Sequence, residues 1–127
     1  MNKVDPAMIA SRVRAQVATY VEDYLRVSRP GTLVGTPLSA TQLTEEVEAL
    51  RQALVEPYWL NAGIMKSTSD VEDVRMESCV IVADNSAGHL LAYVPSMDEF
   101  TVLREYRPGH YGSFGLDGDA VGAFISI

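Results

Sequence analysis

The segment Cys79–Val94 constrains the fold of this chain more than any other part of it. Cys79–Ala83 is a continuous apolar run rich in β-branched residues, which is typical of a central strand buried on both faces. Asp84–Gly88 has the composition of a tight turn, and His89–Val94 is a second β-favouring run. The sequence therefore predicts a β-hairpin at the centre of a sheet.

The residues after this hairpin predict further antiparallel strands. Residues 95–99 form a second turn, and residues 100–106 alternate as a third strand, so two short connections in succession predict an antiparallel meander. Residues 107–118 hold four glycines and a proline, which predicts a long loop. Residues 119–127 fit either a short helix from Asp119 or a last strand, and the sequence does not separate the two.

Two helices are predicted ahead of the strands. The first, residues 6–28, begins at Asp5-Pro6, an N-cap followed by proline at the first helical position. The second, residues 39–56, begins with a Ser39–Gln42 capping box and ends before Pro57. Its apolar seam, which could also support dimerisation, is Leu43, Val47, Leu50 and Leu54.

These elements predict a single α+β domain over residues 1–127, with a helical part at 1–57 and a sheet part at 58–127. The two N-terminal helices are expected on one face of an antiparallel sheet of three to five strands, with a polar acidic loop at 66–77. Tyr58-Trp59 has two interpretations, a plug of the core, which we favour, or an interface. The expected buried core includes Val17, Leu50, Val80, Val82 and Leu91.

Charge is distributed unevenly along the chain. The net charge is −7, but residues 1–38 carry five bases against three acids, and residues 39–127 carry five bases against fourteen acids. The longer part would repel nucleic acid and anionic lipid, so neither is expected as a partner. We expect instead that this surface maintains solubility or attracts a basic protein.

The residues suited to catalysis do not form a recognisable set. Cys79 could be a nucleophile, with His89 or His110 as its base and Asp84 orienting that base. Its position in an apolar strand favours a buried core cysteine instead. The glycine segment 109–119 lacks the Gly-Lys-Ser/Thr ending of a phosphate loop and the ligand pattern of a calcium loop. We therefore expect no enzyme activity, no cofactor and no metal, with a small enzyme using His110 as a third alternative.

No targeting or membrane segment is expected. The first apolar stretch is interrupted by Arg12 and Arg14, and no run approaches the length of a membrane span. A single cysteine excludes an intrachain disulfide. The expected compartment is the cytoplasm, where a lone thiol stays reduced.

Part of the second half resembles a known family. The run Cys79–Asp84, then Gly88 and His89–Tyr93, and the closing Gly118–Phe124 resemble strands and a terminal segment of small bacterial immunity proteins, including SUKH-like members of polymorphic toxin systems. The resemblance implies a non-enzymatic, cytoplasmic, single-domain protein that binds and blocks a toxin. No site residues are carried over from the family.

The partner is therefore predicted to be a basic protein, a toxin or an effector, bound by a monomer or a homodimer. The alternative function is that of a homodimeric acidic secretion chaperone or adaptor. The contact surface is expected on loops 66–77, 95–99 and 107–119, with aromatic anchors inside an acidic rim. The predicted partner-binding residues are Asp70, Glu72, Asp73, Asp98, Glu99, Tyr111, Phe114, Asp117 and Asp119.

Overall fold

Five strands wind into a barrel, and three helices pack against the outside of its wall. A computed structural model describes residues 4–27, 40–65 and 74–125. The helices are α1 (Pro6–Val27), α2 (Ala40–Ala53) and α3 (Ala120–Ile125). The strands are β1 (Leu54–Met65), β2 (Val74–Asp84), β3 (His89–Val94), β4 (Glu99–Arg107) and β5 (His110–Gly118).

The strands follow one another round the barrel in chain order. Each pairs antiparallel with the next, and β1 closes the barrel by pairing parallel with β5, where Gly63 lies opposite Gly112. An odd number of meandering strands must close with one parallel pair, because the first and last run in the same direction. The α+β class is confirmed, but the expectation of a purely antiparallel sheet was wrong at this closing pair.

The wall of the barrel has two apolar sides, because successive side chains of a strand point to opposite faces. On β2, Cys79 and Ile81 point inward, while Val80 and Val82 point outward to the helices. The expected burial of this strand on both faces is confirmed. The barrel interior consists of Ala62, Ile64, Cys79, Ile81, Leu90, Ala92, Val94 and Leu103.

The helices bury their apolar seams on the outer side of β2, β3 and β4. All five residues expected in the core are buried there, together with Phe100 and Val102 of β4 and Val121 and Phe124 of α3. Leu43, Val47 and Leu50, which could have formed a dimer seam, are buried within one chain.

Helix α2 is shorter than predicted. It ends at Ala53, and Leu54, assigned to its seam, begins β1. Pro57 was expected only to end a helix, yet it lies inside β1, where the register with β2 shifts between Leu54 and Tyr58. At such an irregularity the missing N–H of proline costs no ladder hydrogen bond. Ser39 of the predicted capping box lies outside the described residues.

The predicted glycine loop was also wrong. Only Pro108-Gly109 is a turn, and residues 110–118 form β5. A Cβ atom at Gly112 would lie 3.4 Å from the Tyr106 ring and 3.5 Å from the Gly63 carbonyl oxygen, which is ordinary van der Waals contact. Gly109 and Gly118 adopt φ angles of 78° and 140°, a conformation that favours glycine.

Two other boundaries differ from the sequence prediction. The polar loop predicted at 66–77 is shorter, since Val74–Glu77 belongs to β2, and residues 66–73 lie outside the described part. Ile64-Met65 forms the end of β1. The ambiguity over residues 119–127 resolves to helix α3 as far as Ile125.

An ion pair connects α1 to the turn between β3 and β4. Arg12 Nη1 lies 3.3 Å from Asp98 Oδ1, and the Tyr93 hydroxyl donates to the same oxygen at 2.6 Å. The Arg12 guanidinium also lies 5.4 Å from the Tyr93 ring centroid and 5.7 Å from that of Phe100. These contacts hold the N-terminal part of α1 on the barrel.

Replacing Leu50 by Ala should lower the free energy of unfolding by about 2–5 kcal/mol, because Leu50 is fully buried between α2 and the barrel. Chemical denaturation measures the change. Met8→Ala, which truncates an exposed apolar residue of α1, is the control and should change the value by less than about 0.5 kcal/mol. Equal effects of the two substitutions would contradict this packing.

Asp98 should make stability depend on acid pH. The hydrogen bond from Tyr93 and the adjacent Arg12 lower the pKa of Asp98 below its ordinary value of 3.8. Its contribution is therefore present above that ordinary value and is lost as pH falls through the lowered pKa. Asp98→Asn should flatten the dependence of unfolding free energy on pH below about 4.

The matched control is Glu99→Gln, which removes the neighbouring exposed carboxylate. Denaturation midpoints between pH 2 and 7 should converge for wild type and Asp98→Asn at the acid end only. Curves that stay parallel over the whole range would show that Asp98 does not contribute in this way.

Candidate functional site

One end of the barrel is lined by two tyrosines and two carboxylates. Residues directly opposite each other on paired strands face the same side of the sheet. Tyr58 lies opposite Ile81, and Asp84 lies opposite Leu90, and both partners belong to the barrel interior. Tyr58 and Asp84 therefore sit at inward-facing positions where β1 enters and β2 leaves the barrel.

The other two side chains come from β4 and β5. Glu105 is the next inward-facing position after Leu103 and lies opposite Tyr111. Tyr111 is half-buried and packs against the barrel interior. We call these four residues, Tyr58, Asp84, Glu105 and Tyr111, the tyrosine–carboxylate opening.

Asp84 affects the ionisation of both tyrosines, and Glu105 affects that of Tyr111. A hydrogen bond to Glu105, with smaller contributions from burial and from the negative charge of Glu105, raises the pKa of Tyr111 above 10.0. Burial, followed by the negative charge of Asp84, raises the pKa of Tyr58. Asp84 also adds to the rise for Tyr111. The four groups therefore lie close enough to interact, and both phenols stay neutral at pH 7.

The carboxylates of the opening are held by backbone groups. Asp84 Oδ1 accepts the N–H of Ser86 at 2.8 Å, and Glu105 Oε2 accepts the N–H of Gly109 at 3.3 Å. Neither carboxylate forms an ion pair with any residue that the structure describes. Two negative charges are thus fixed at a partly apolar opening without a cation against them.

The acidic residues predicted from the sequence lie mainly at the other end of the barrel. Pairing of Phe100 with Gly118 brings the turn that carries Asp98 and Glu99 beside Asp119. We call Asp98, Glu99 and Asp119 the acidic end. Glu105 lies five residue steps along β4 from Phe100, so the acidic end and the opening are about 17 Å apart.

Two carboxylates of the acidic end have structural partners. Asp98 binds Arg12 and Tyr93, and the Asp119 carboxylate accepts the N–H of Gly122 in the first turn of α3. Among the described carboxylates of this end, Glu99 alone has no such contact.

The remaining predicted partner-binding residues are only partly placed. Phe114 and Asp117 lie in β5, with Asp117 opposite Thr101 of β4. Asp70, Glu72 and Asp73 lie outside the described residues. The acidic rim expected around Tyr111 from Asp117 and Asp119 is supplied instead by Asp84 and Glu105.

The cysteine and histidines considered for catalysis are not brought together. Cys79 is buried in the barrel interior, and burial followed by the charge of Glu77 raises the pKa of its thiol to about 11. His89, next to the inward-facing Leu90, lies on the outer side of the wall with Asn85 Nδ2 3.3 Å from its Nδ1. His110 is exposed, 6.1 Å from the Tyr106 ring.

Within residues 4–27, 40–65 and 74–125, no three histidine, cysteine or acidic side chains converge to hold a metal ion. None of the described helices is both long enough and apolar enough to cross a membrane. Comparisons with protein-family models, curated proteins and solved structures found no match.

The opening was only partly predictable from local sequence patterns. Tyr58-Trp59 was favoured as a core plug, but the two residues are 43% and 47% exposed, so that interpretation was wrong. Glu105 could have been identified from the alternation of the third strand, two residues after the buried Leu103. The closeness of Glu105 to Asp84 could not have been predicted from the sequence, because it depends on how the barrel closes.

Cys79 should react slowly with a thiol reagent such as 5,5′-dithiobis(2-nitrobenzoic acid). Its buried sulfur and raised pKa should slow the reaction at pH 8 by more than about 100-fold relative to the denatured chain. Cys79 is the only cysteine, so the absorbance signal reports this residue alone. Similar rates for folded and denatured protein would contradict the buried position.

Proposed function

We propose that this chain is a non-enzymatic binding protein that neutralises a basic partner protein, as an immunity protein neutralises a toxin. The observation that supports this best is the tyrosine–carboxylate opening. Its two carboxylates have no ion-pair partner among the described residues, and they surround Tyr111, an aromatic side chain that rests on the barrel interior. This is an aromatic anchor within an acidic rim.

The chemistry of the opening suits a lysine or arginine side chain of the partner. The cationic head would lie between Asp84 and Glu105, where charge-assisted hydrogen bonds are strong. The faces of Tyr58 and Tyr111 attract a cation, and the alkyl stem can pack on apolar surface. A neutral or acidic side chain would leave both carboxylates uncompensated.

The distribution of charge adds long-range attraction. Glu45, Glu46 and Glu48 are exposed on α2, and Glu99 is exposed at the acidic end. With a net charge of −7, the chain would attract a basic protein from beyond contact distance and increase its association rate. In this proposal the acidic end steers the partner together with Asp70, Glu72 and Asp73, and the opening holds it.

The test begins with the partner, identified by co-purification from the native host. Association and dissociation rates are then measured from about 50 to 500 mM salt for wild type and for Asp84→Asn/Glu105→Gln. Glu45→Gln/Glu46→Gln is the matched control, because it removes the same two charges from the exposed side of α2. Both carboxylate-to-amide changes preserve side-chain shape.

The opening variant should weaken binding by at least about 10-fold, mainly through faster dissociation, and the loss should persist at 500 mM salt. The control should slow association at low salt only, since surface charges are screened within about 8 Å at physiological salt. An acidic partner, a nucleic acid, or equal effects of the two variants would contradict the proposal.

A further inference from the structure

The barrel has a second outer face, away from the helices. Helices pack on the outer side of β2, β3 and β4, whereas Trp59 of β1, Met76 of β2 and Tyr106 of β4 are 47%, 65% and 59% exposed. Trp59 lies opposite Val80, which faces the helices, so its position also points out of the barrel. This face combines large apolar side chains with solvent exposure.

A row of paired residues crosses this face over four strands. Arg104 lies opposite Gly112, Gly112 opposite Gly63, and Gly63 opposite Met76. The inward positions next to them are Glu105, Tyr111 and Ala62, so all four residues of the row point outward. The two central positions have no side chain, but the Tyr106 ring lies over Gly112, so the described residues leave a shallow trough only at Gly63, between this ring and Met76.

The Tyr106 ring forms one wall of this trough. It lies over Gly112, close enough that a Cβ atom there would touch the ring at 3.4 Å. The Arg107 guanidinium is 5.7 Å from the ring centroid of Tyr106, and the His110 ring is 6.1 Å away. We call Trp59, Met76, Arg104, Tyr106 and Arg107, with the trough between them, the arginine–aromatic face.

The charge of this face is opposite to that of its surroundings. Residues 39–127 contain only five bases, of which Arg104 and Arg107 lie on this face. Neither forms an ion pair with a described residue, whereas Arg51 on α2 is paired with Glu48 at 3.1 Å. Two guanidinium groups without an ion pair to any described residue therefore lie beside exposed aromatic rings in the acidic part of the chain.

We propose that the arginine–aromatic face binds an acidic, extended segment of a partner protein. Arginine forms forked hydrogen bonds with carboxylates, and tryptophan, tyrosine, methionine and arginine are the residue types enriched in protein interfaces. The segment would place carboxylates on Arg104 and Arg107 and an apolar side chain in the trough. This surface is separate from the opening and does not depend on the function proposed for it.

Charge and geometry disfavour two other occupants. A nucleic acid requires many phosphate contacts and would meet a chain of net charge −7 with two arginines on this face. A second copy could offer the exposed glutamates of α2, but α2 lies on the other side of the barrel. Such a contact would be head to tail, so it would not form a closed two-fold dimer.

The test uses a displayed library of random 12-residue peptides, selected on the wild-type protein. Aspartate and glutamate next to apolar residues should be enriched, and the enrichment should disappear on Arg104→Gln/Arg107→Gln. Enrichment of acidic peptides that survives this substitution would overturn the proposal, as would the absence of any enriched acidic sequence.

Trp59 then reports binding directly, because it is the only tryptophan and lies on this face. Adding a selected peptide should shift its emission to shorter wavelength, and replacing the peptide's acids by their amides should weaken binding by at least about 10-fold. Arg104→Gln/Arg107→Gln should have the same effect. The control Arg14→Gln/Arg51→Gln, which removes two charges from the helices, should change affinity by less than about 2-fold.

Two further measurements separate the alternatives. Asp84→Asn/Glu105→Gln should leave the peptide affinity within about 2-fold of wild type, so a failure of the function proposed above would not affect this result. If a 12-nucleotide oligothymidylate bound more tightly than the peptide, the ligand of this face would be nucleic acid and not an acidic segment. If Trp59 emission shifted with protein concentration alone and sedimentation showed dimers, the ligand of this face would be a second copy of the chain.

Discussion

The parallel contact between Gly63 and Gly112 is the constraint on which the rest of the structure depends. It closes a meander of five strands, and closure gives every strand an inner and an outer side. The inner side becomes a small apolar interior, and the helices cover only part of the outer side. Without this contact, Tyr58 of β1 and Tyr111 of β5 would lie at opposite edges of an open sheet.

Closure also sorts the charged residues into separate surfaces. The pairing of Phe100 with Gly118 brings the residues of the acidic end together, while Asp84 and Glu105 lie at the opposite end of the barrel. Arg104 is the immediate neighbour of Glu105 in sequence but points outward. Alternation along β4 therefore places a carboxylate of the opening and an arginine of the outer surface at two adjacent residues.

Local patterns predicted the elements whose signals do not depend on closure. The apolar run at Cys79–Ala83 identified a strand buried on both sides, and helical periodicity identified α1 and most of α2. The glycines of residues 109–118 suggested a loop, but residues 110–118 form β5, and Gly109 and Gly118 adopt positive φ angles. The exposed Trp59 was assigned to the core because hydrophobicity alone does not show which side of a wall a helix covers.

Nuclear Overhauser contacts between the Gly63 and Gly112 backbone protons test the closed barrel most directly. The structure predicts cross-strand contacts between these two glycines, together with slow amide exchange around both of them. If the contacts were absent and the amides near Gly63 and Gly112 exchanged as fast as those of an exposed strand edge, the sheet would be open. The tyrosine–carboxylate opening and the arginine–aromatic face would then lose their structural basis.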